Sequence, residues 1–300
     1  MTSEADQRLR AAAFAHLDRL AERHPDGALP SSEVNAFTFE GRQQRLIVQT
    51  GIWKPAGLAA ALSIRTTFTP PSQLPPYEDD LGADGLVRYK YRGQEAGHSD
   101  NRALREALVS QTPLIYFVGV ARGLYTAHYP VWIVSEDPAR LEFTVAVDAA
   151  QRWMGTVDLA WPDRAYALRL TQQRVHQPVF RARVLQAYDD TCAICRLRHA
   201  ELLDAAHILP DKHAKGLPIV PNGLALCKIH HAAYDKNVLG VRPDLVVEVQ
   251  PRVLAEIDGP MLRHGLQDMA GVRLHIPRAR DAQPDPLRLE ERYAEFRAAG

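Results

Sequence analysis

The spacing of hydrophobic positions changes twice along the chain. Residues 5–23 place Leu9, Phe14, Leu17 and Leu20 near helical spacing among charged neighbours, which predicts an amphipathic helix. "LPSSEV" then reads as a loop and cap before a short second segment. From "FTFEG" to about Val147 the period shortens to that of strands. The runs "RLIVQT", "SIRTTF", "GLVRYKY", "PLIYFVGV", "YPVWIV" and "LEFTVAV" follow one another, separated by Gly, Pro, Asp and Asn. One helix interrupts them, "DNRALREALVS", with Asp100 as its expected N-cap. Many short strands with turn signals predict a compact barrel or strongly curved sheet. "PPSQLPPYEDDLGADG" has the composition of a loop that covers a site.

After residue 150 the helical period returns. "RAYALRLTQQRVHQP" predicts a connecting helix stopped by Pro178. "VFRARVLQAYDDTC" predicts a helix with Phe180, Val184, Leu185 and Tyr188 on one side. A β-like "VLGVRPDLVVEVQ", a polar linker and a C-terminal helix "PLRLEERYAEFRAA" close the chain. The expected organisation is α+β: a β-rich domain at 1–150, a connecting segment at 151–177 and a second domain at 178–300. A length of 300 residues is ample for two cores.

Charge narrows the picture only locally. The chain balances 36 Lys and Arg against 36 Asp and Glu, so any nucleic-acid contact must come from a patch. Residues 161–241 hold eleven basic against seven acidic side chains and six of the twelve histidines. No apolar run approaches the roughly 20 residues that span a bilayer. The N-terminal helix carries acids, unlike a signal peptide, and the expected address is the cytoplasm. Three cysteines do not make a disulfide framework; a metal or redox site is the reading they favour.

All three lie in the stretch "CAIC…DAAHILP…NGLALCKIHH". Cys192-x-x-Cys195 and Cys227-x-x-His230 are two half-sites of two ligands each. Brought together by a hairpin they supply the four N and S donors of a closed structural zinc site. The competing readings are buried free thiols with a surface histidine, against which the repeated x-x spacing argues, and a thioredoxin-like redox pair, against which the Ala-Ile between the cysteines and the lack of a βαβ context argue. His231, next to His230 on an expected helix, points about 100° away from it and so falls outside that shell. His207 ends the apolar strand "LLDAAHIL", and Asn222 stands at the turn into a second strand. The order is strand with His, loop, Asn, strand, helix with His.

These residues resemble the HNH (ββα-metal) nuclease motif. They are most similar to McrA-like HNH endonucleases, predicted restriction enzymes, over about 175–245. The resemblance implies His207 as general base and Asn222 as the brace of the hairpin turn that helps orient it. It implies His231 as ligand of a catalytic divalent ion, Mg²⁺ or Mn²⁺, and Zn²⁺ on Cys192, Cys195, Cys227 and His230. Many such enzymes carry Asp or His directly before the base, where this chain has Ala206. Asp204 is the first substitute ligand and Asp235, one turn past His231, the second.

The resemblance extends forward to "YKYRG…HSDNRAL", a block found ahead of the nuclease in that group, in modules resembling small PUA/SRA-like barrels. It implies double-stranded DNA as partner, with a modified cytosine flipped into an aromatic pocket. Arg88, Tyr89, Tyr91, His98, Asp100 and Asn101 are the candidates for reading it. On a strand, Arg88 and Lys90 face away from Tyr89 and Tyr91. Tyr116 and Trp132, in apolar runs, read as core. The function expected is a modification-dependent restriction endonuclease. The alternatives are a relaxed-specificity HNH nuclease or nickase, and a zinc-stabilised DNA-binding module without activity. A double-strand cut needs two active sites, which makes a homodimer an expectation.

Overall fold

A computed structural model of the chain describes residues 3–68, 70, 82, 84–152 and 161–300. Most of the Pro-rich loop at 70–85 lies outside them, as does Trp153. The chain divides into two compact units, Met1–Val179 and Phe180–Gly300. No described helix is long and apolar enough to cross a membrane.

In the first unit α1 (Ser3–Arg23) buries Leu9, Ala13, Leu17 and Leu20, one stripe at helical spacing. Seven of the strands that follow form its main sheet: β1 (Leu29–Pro30), β2 (Ile52–Trp53), β3 (Ser63–Thr66), β4 (Val87–Lys90), β5 (Leu114–Ala121), β6 (Leu124–Asp137) and β7 (Glu142–Ala146). Their order in the sheet is β2-β3-β5-β6-β7-β4, with β1 added beside β6. Only β3 and β5 run parallel. Register shifts in the β5–β6 and β6–β7 ladders bend the strands, as an extra unpaired residue does. The sheet curls, and among the described residues its edge strands β2 and β4 are not hydrogen-bonded to each other. Tyr116 and Trp132 are buried, as their apolar runs predict.

Two expectations fail here for identifiable reasons. "RLIVQT" is not a strand. Leu46 and Ile47 are buried, but their N–H groups donate to Asn35 Oδ1 at 2.8 and 2.9 Å. One side chain supplies the acceptor that a neighbouring strand would have given. The helix α2 (Ser99–Ser110) is capped by His98, whose Nδ1 accepts from the Asp100 N–H at 3.2 Å. Asp100 itself pairs with Arg92.

Helix α3 (Trp161–Thr171) passes through a π turn at Gln172–His176 into α4 (Gln177–Ala187). Pro178 therefore does not end the helical stretch. The wider turn before it loosens the i→i−4 ladder in which proline's missing N–H would be felt.

In the second unit α4 buries Phe180, Val184, Leu185 and Tyr188. Against this face packs the antiparallel hairpin β8 (Leu203–His207) and β9 (Gly223–Cys227), in the register Leu203↔Cys227 through His207↔Gly223. Helix α5 (Lys228–Asp235) follows directly. A second hairpin, β10 (Leu239–Val241) with β11 (Val247–Val249), and the C-terminal α6 (Pro286–Ala298) complete the core. Asp285 caps α6 by accepting from Leu287 and Arg288 N–H. Arg292 of α6 lies over the Tyr234 ring and donates to the Tyr234 carbonyl, which ties α6 to α5.

Candidate active site and metal cluster

Cys192 and Cys195 stand in a knuckle closed by two backbone bonds, Cys192 N–H to Leu197 and Arg196 N–H to Cys192. Cys227 ends β9 and is the N-cap of α5, which puts His230 in the first helical turn. The hairpin thus brings both half-sites together. The ligand atoms of Cys192, Cys195, Cys227 and His230 lie within 4.8 Å of one another. His230 Nδ1 is 3.2 Å from Cys227 Sγ and 3.5 Å from Cys192 Sγ. Its Nε2 is 2.9 Å from the Gly265 carbonyl. That carbonyl accepts only from an Nε2–H, which leaves the Nδ1 lone pair for the sulfurs' side.

Without a cation these donors crowd one another. Hydrogen bonds from Cys195 and Cys227 push the Cys192 thiol far down, and the same contacts push Cys195 up. Burial works to lower His230, but Cys192 and Cys227 outweigh it and raise the ring to about 10. With a divalent ion bound, three thiolates and a neutral imidazole would be the stable set. The donor set and the tautomer fit zinc.

His231 faces elsewhere. Its Nδ1 is 3.3 Å from Asp204 Oδ2 on β8 and its Nε2 is 3.4 Å from Asp235 Oδ2. The structure therefore unites His231 with both acids considered in place of Ala206, and Ala206 itself is buried. Asp204 also meets Lys228 Nζ at 2.5 Å and Arg181 Nε at 3.9 Å. Burial works to raise the Asp204 carboxyl; Lys228 and His231 overcome it and hold the group below its usual value. One carboxylate and one imidazole leave room for phosphate and water around a hard cation. Among the described residues, the Cys₃His set is where three or more such side chains converge.

His207 ends β8, its ring stacked on Phe180 with centroids 4.1 Å apart and planes 18° from parallel. Gly223 opposite it leaves room for that pair: a Cβ there would lie 2.5 Å from Val184 and 3.0 Å from Phe180. Burial lowers the basicity of His207, with the charges of Asp211, His231 and Asp235 also acting on it. Asn222 is fully buried. Its amide accepts from Leu209 N–H and donates to the Leu209 and Leu217 carbonyls at 2.9–3.0 Å. These bonds tie Asn222 to the loop backbone, and the His207 ring is not among these partners. The side chain that does approach the ring is Asp211, with Oδ1 2.9 Å from Nε2. Sequence reasoning missed it; the signal was an acid four residues beyond the histidine, just past a proline.

In the first unit a cavity of about 330 Å³ opens where the curled sheet brings β3 near β4. Gly51, Arg65, Thr66, Tyr89, Tyr91 and Arg92 are among its lining residues. Tyr89 donates to the Arg65 carbonyl at 3.2 Å, and Tyr91 to Glu136. Gly51, at φ +91°, is where a side chain would press on the Tyr89 hydroxyl. Of the six candidate readers, Tyr89 and Tyr91 line this cavity. Arg88 pairs with Asp84 at 2.6 Å and Glu142 at 3.8 Å. His98 is the cap of α2, and Asp100 holds Arg92. Asn101 is fully buried, bonded to the backbone of Arg92 and Glu95. These three shape the turn after β4.

Residues 192–242 match the HNH endonuclease family. The matched segment begins at Cys192 and takes in His207, Asn222, Cys227, His230 and His231. The chain thus carries an HNH endonuclease domain, and endonuclease activity is what this domain brings to it. A solved structure of a modification-dependent TagI restriction endonuclease aligns with 82% of this chain and 85% of its own, at 16% identity. The TM-score of that alignment is 0.29. No curated protein matches the chain.

Proposed function

We propose that the chain is a metal-dependent DNA endonuclease of the modification-dependent restriction type. The observation that carries the nuclease reading is the set of His207, Asp204 and His231 left over when the Cys₃His cluster is complete, inside the HNH segment. Structural Zn²⁺ belongs to Cys192, Cys195, Cys227 and His230. A catalytic Mg²⁺ or Mn²⁺ belongs to Asp204 and His231, where it supplies charge neutralisation at the scissile phosphate.

His207, neutral at physiological pH because burial disfavours its charged form, accepts a proton from water. The water oxygen forms the new P–O bond, and the 3′-oxygen departs with its electron pair. Asn222 fixes the turn that follows the base. Lys228 and Arg181, already at Asp204, place positive charge beside the phosphate path.

The first unit reads the target. Its cavity is large enough for an extrahelical base, and its two tyrosines supply stacking that offsets a flipping cost of a few kcal/mol. Modified cytosine is the base class we assign to it. The test is cleavage of matched duplexes with and without 5-methyl- or 5-hydroxymethylcytosine, with Mg²⁺ and with Mn²⁺. A strong preference for modified DNA is expected. Equal cutting would remove the reader and leave a relaxed nuclease; no cutting of any DNA by zinc-replete protein would remove the nuclease.

A further inference from the structure

The loop between β8 and β9 is pinned more firmly than a connection needs to be. Asn222 ties it at Leu209 and Leu217. Its own backbone closes on itself, His213 N–H to Pro210 and Gly216 N–H to His213. Gly216 passes so near the Pro210 carbonyl that a Cβ would lie 1.9 Å from it. From the other side, Glu291 of α6 takes His213 Nε2 and Lys215 Nζ, each at 3.0 Å, and Arg288 donates to the Lys215 carbonyl. In the middle of this fixed loop is Asp211. Among the described residues its carboxylate has one close partner, the His207 ring.

The geometry of that pair is unfinished. Nε2 lies 2.9 Å from Asp211 Oδ1, yet it is buried and makes no aligned hydrogen bond. Distance alone brings the charges together; the N–H axis misses the oxygen. Phe180 holds the ring plane by stacking, so the ring can turn within that plane while contact is kept. Catalytic hydrogen bonds without substrate are often loose in this way and tighten in the complex.

We propose that Asp211 is a positioning residue for phosphodiester cleavage: its carboxylate holds His207 in the tautomer with hydrogen on Nε2, leaving Nδ1 to take the proton from water. The inference rests on His207 being the general base. When Nδ1 accepts the proton, the ring becomes a cation whose Nε2–H faces an anion. Asp211 thus stabilises the form of His207 that arises during the step and does not itself gain the proton. His231 and Asp235 are the other charged groups acting on the ring.

The experiment uses the full chain on duplex DNA with Mg²⁺, measuring kcat and KM from pH 5 to 9 for wild type, Asp211→Asn, Asp211→Glu, His207→Ala and His207→Ala/Asp211→Asn. Asp211→Asn is expected to lower kcat at least about tenfold with KM little changed, and to move the acid limb of the profile to lower pH. Asp211→Glu restores part of the rate. The double variant is no slower than His207→Ala alone, because both act on one step. In ¹⁵N spectra of the wild-type protein, His207 should carry its hydrogen on Nε2, a readout that does not depend on any variant folding. Wild-type kcat and an unmoved acid limb in Asp211→Asn, with His207→Ala inactive, would overturn the role of Asp211. So would an Nδ1–H tautomer in the wild type. Undiminished cleavage by His207→Ala would instead overturn the general base itself.

Discussion

His207 concentrates the chemistry in one side chain, and its surroundings set what it can do. Burial against Phe180 makes the imidazolium costly and lowers the basicity of the ring. The folded value is depressed, so protonation is delayed as pH falls, and the acid limb of the cleavage profile should lie below pH 6.5. His207→Ala should lose something like 10²–10⁴-fold in kcat with zinc content unchanged, checked by single-turnover cleavage beside metal analysis. The histidines, cysteines and Asn222 were legible in the sequence because their roles depend on spacing along one hairpin and one helix. Asp211 was not, because its role depends on a loop folding back. Nor could the sequence show that His98 and Asn101 would be taken up by the turn after β4, where the backbone of Arg92 and Glu95 claims the Asn101 amide.

At the scale of elements, the β8–β9 hairpin and α5 do two tasks with one piece of structure. Removing zinc should therefore remove more than zinc. Chelation, or Cys195→Ser, is expected to cost much of the metal's folding contribution. Circular dichroism would show the loss as an early transition of the second unit, accompanied by loss of cleavage. Gly223→Ala tests the packing behind the base. Its added carbon meets Val184 and Phe180, so it should destabilise by about 1–3 kcal/mol and slow cleavage by shifting the ring on which His207 rests. The first unit has its own titratable element. His128, on β6, bonds to Thr126 at 2.9 Å and is held down to about 4, chiefly by burial; the Arg174 backbone raises it and His176 lowers it further. An unfolded chain protonates this ring near pH 6.5 while the folded one resists. Stability is full above pH 6.5 and falls toward pH 4, by on the order of 3 kcal/mol from this group. Denaturant melts at pH 7.5 and 5 would show it, and His128→Gln should flatten the difference. Helices and most strands of both units followed their hydrophobic period. "RLIVQT" did not, because a side-chain acceptor on Asn35 satisfied its backbone, and period alone does not reveal that.

For the whole molecule, the two units have separate cores. In our reading, cutting belongs to the second and choosing to the first. Changes to the cavity should then alter preference and spare the chemistry. Tyr91→Leu is expected to reduce the ratio of cleavage on modified over unmodified DNA while leaving the unmodified rate in place. Paired competition assays measure that ratio directly, and an unchanged ratio would place recognition elsewhere. Because DNA binding is driven by phosphate contacts, the assays must be run at one salt concentration.

Helix α5 carries two neighbours that answer to different partners, His230 to the sulfurs and His231 to Asp204. Between them there is no spare length. One residue inserted after His230 would turn the second ring by about 100° and advance it about 1.5 Å along the axis. The cysteines would keep their imidazole, and Asp204 would lose its own. Such a chain should keep its zinc ligands and be unable to cut, and the same rotation would turn the buried Ala233 and Tyr234 off their packing, so its melting temperature should fall as well. Along this helix, then, the molecule tolerates substitution far better than a change in length.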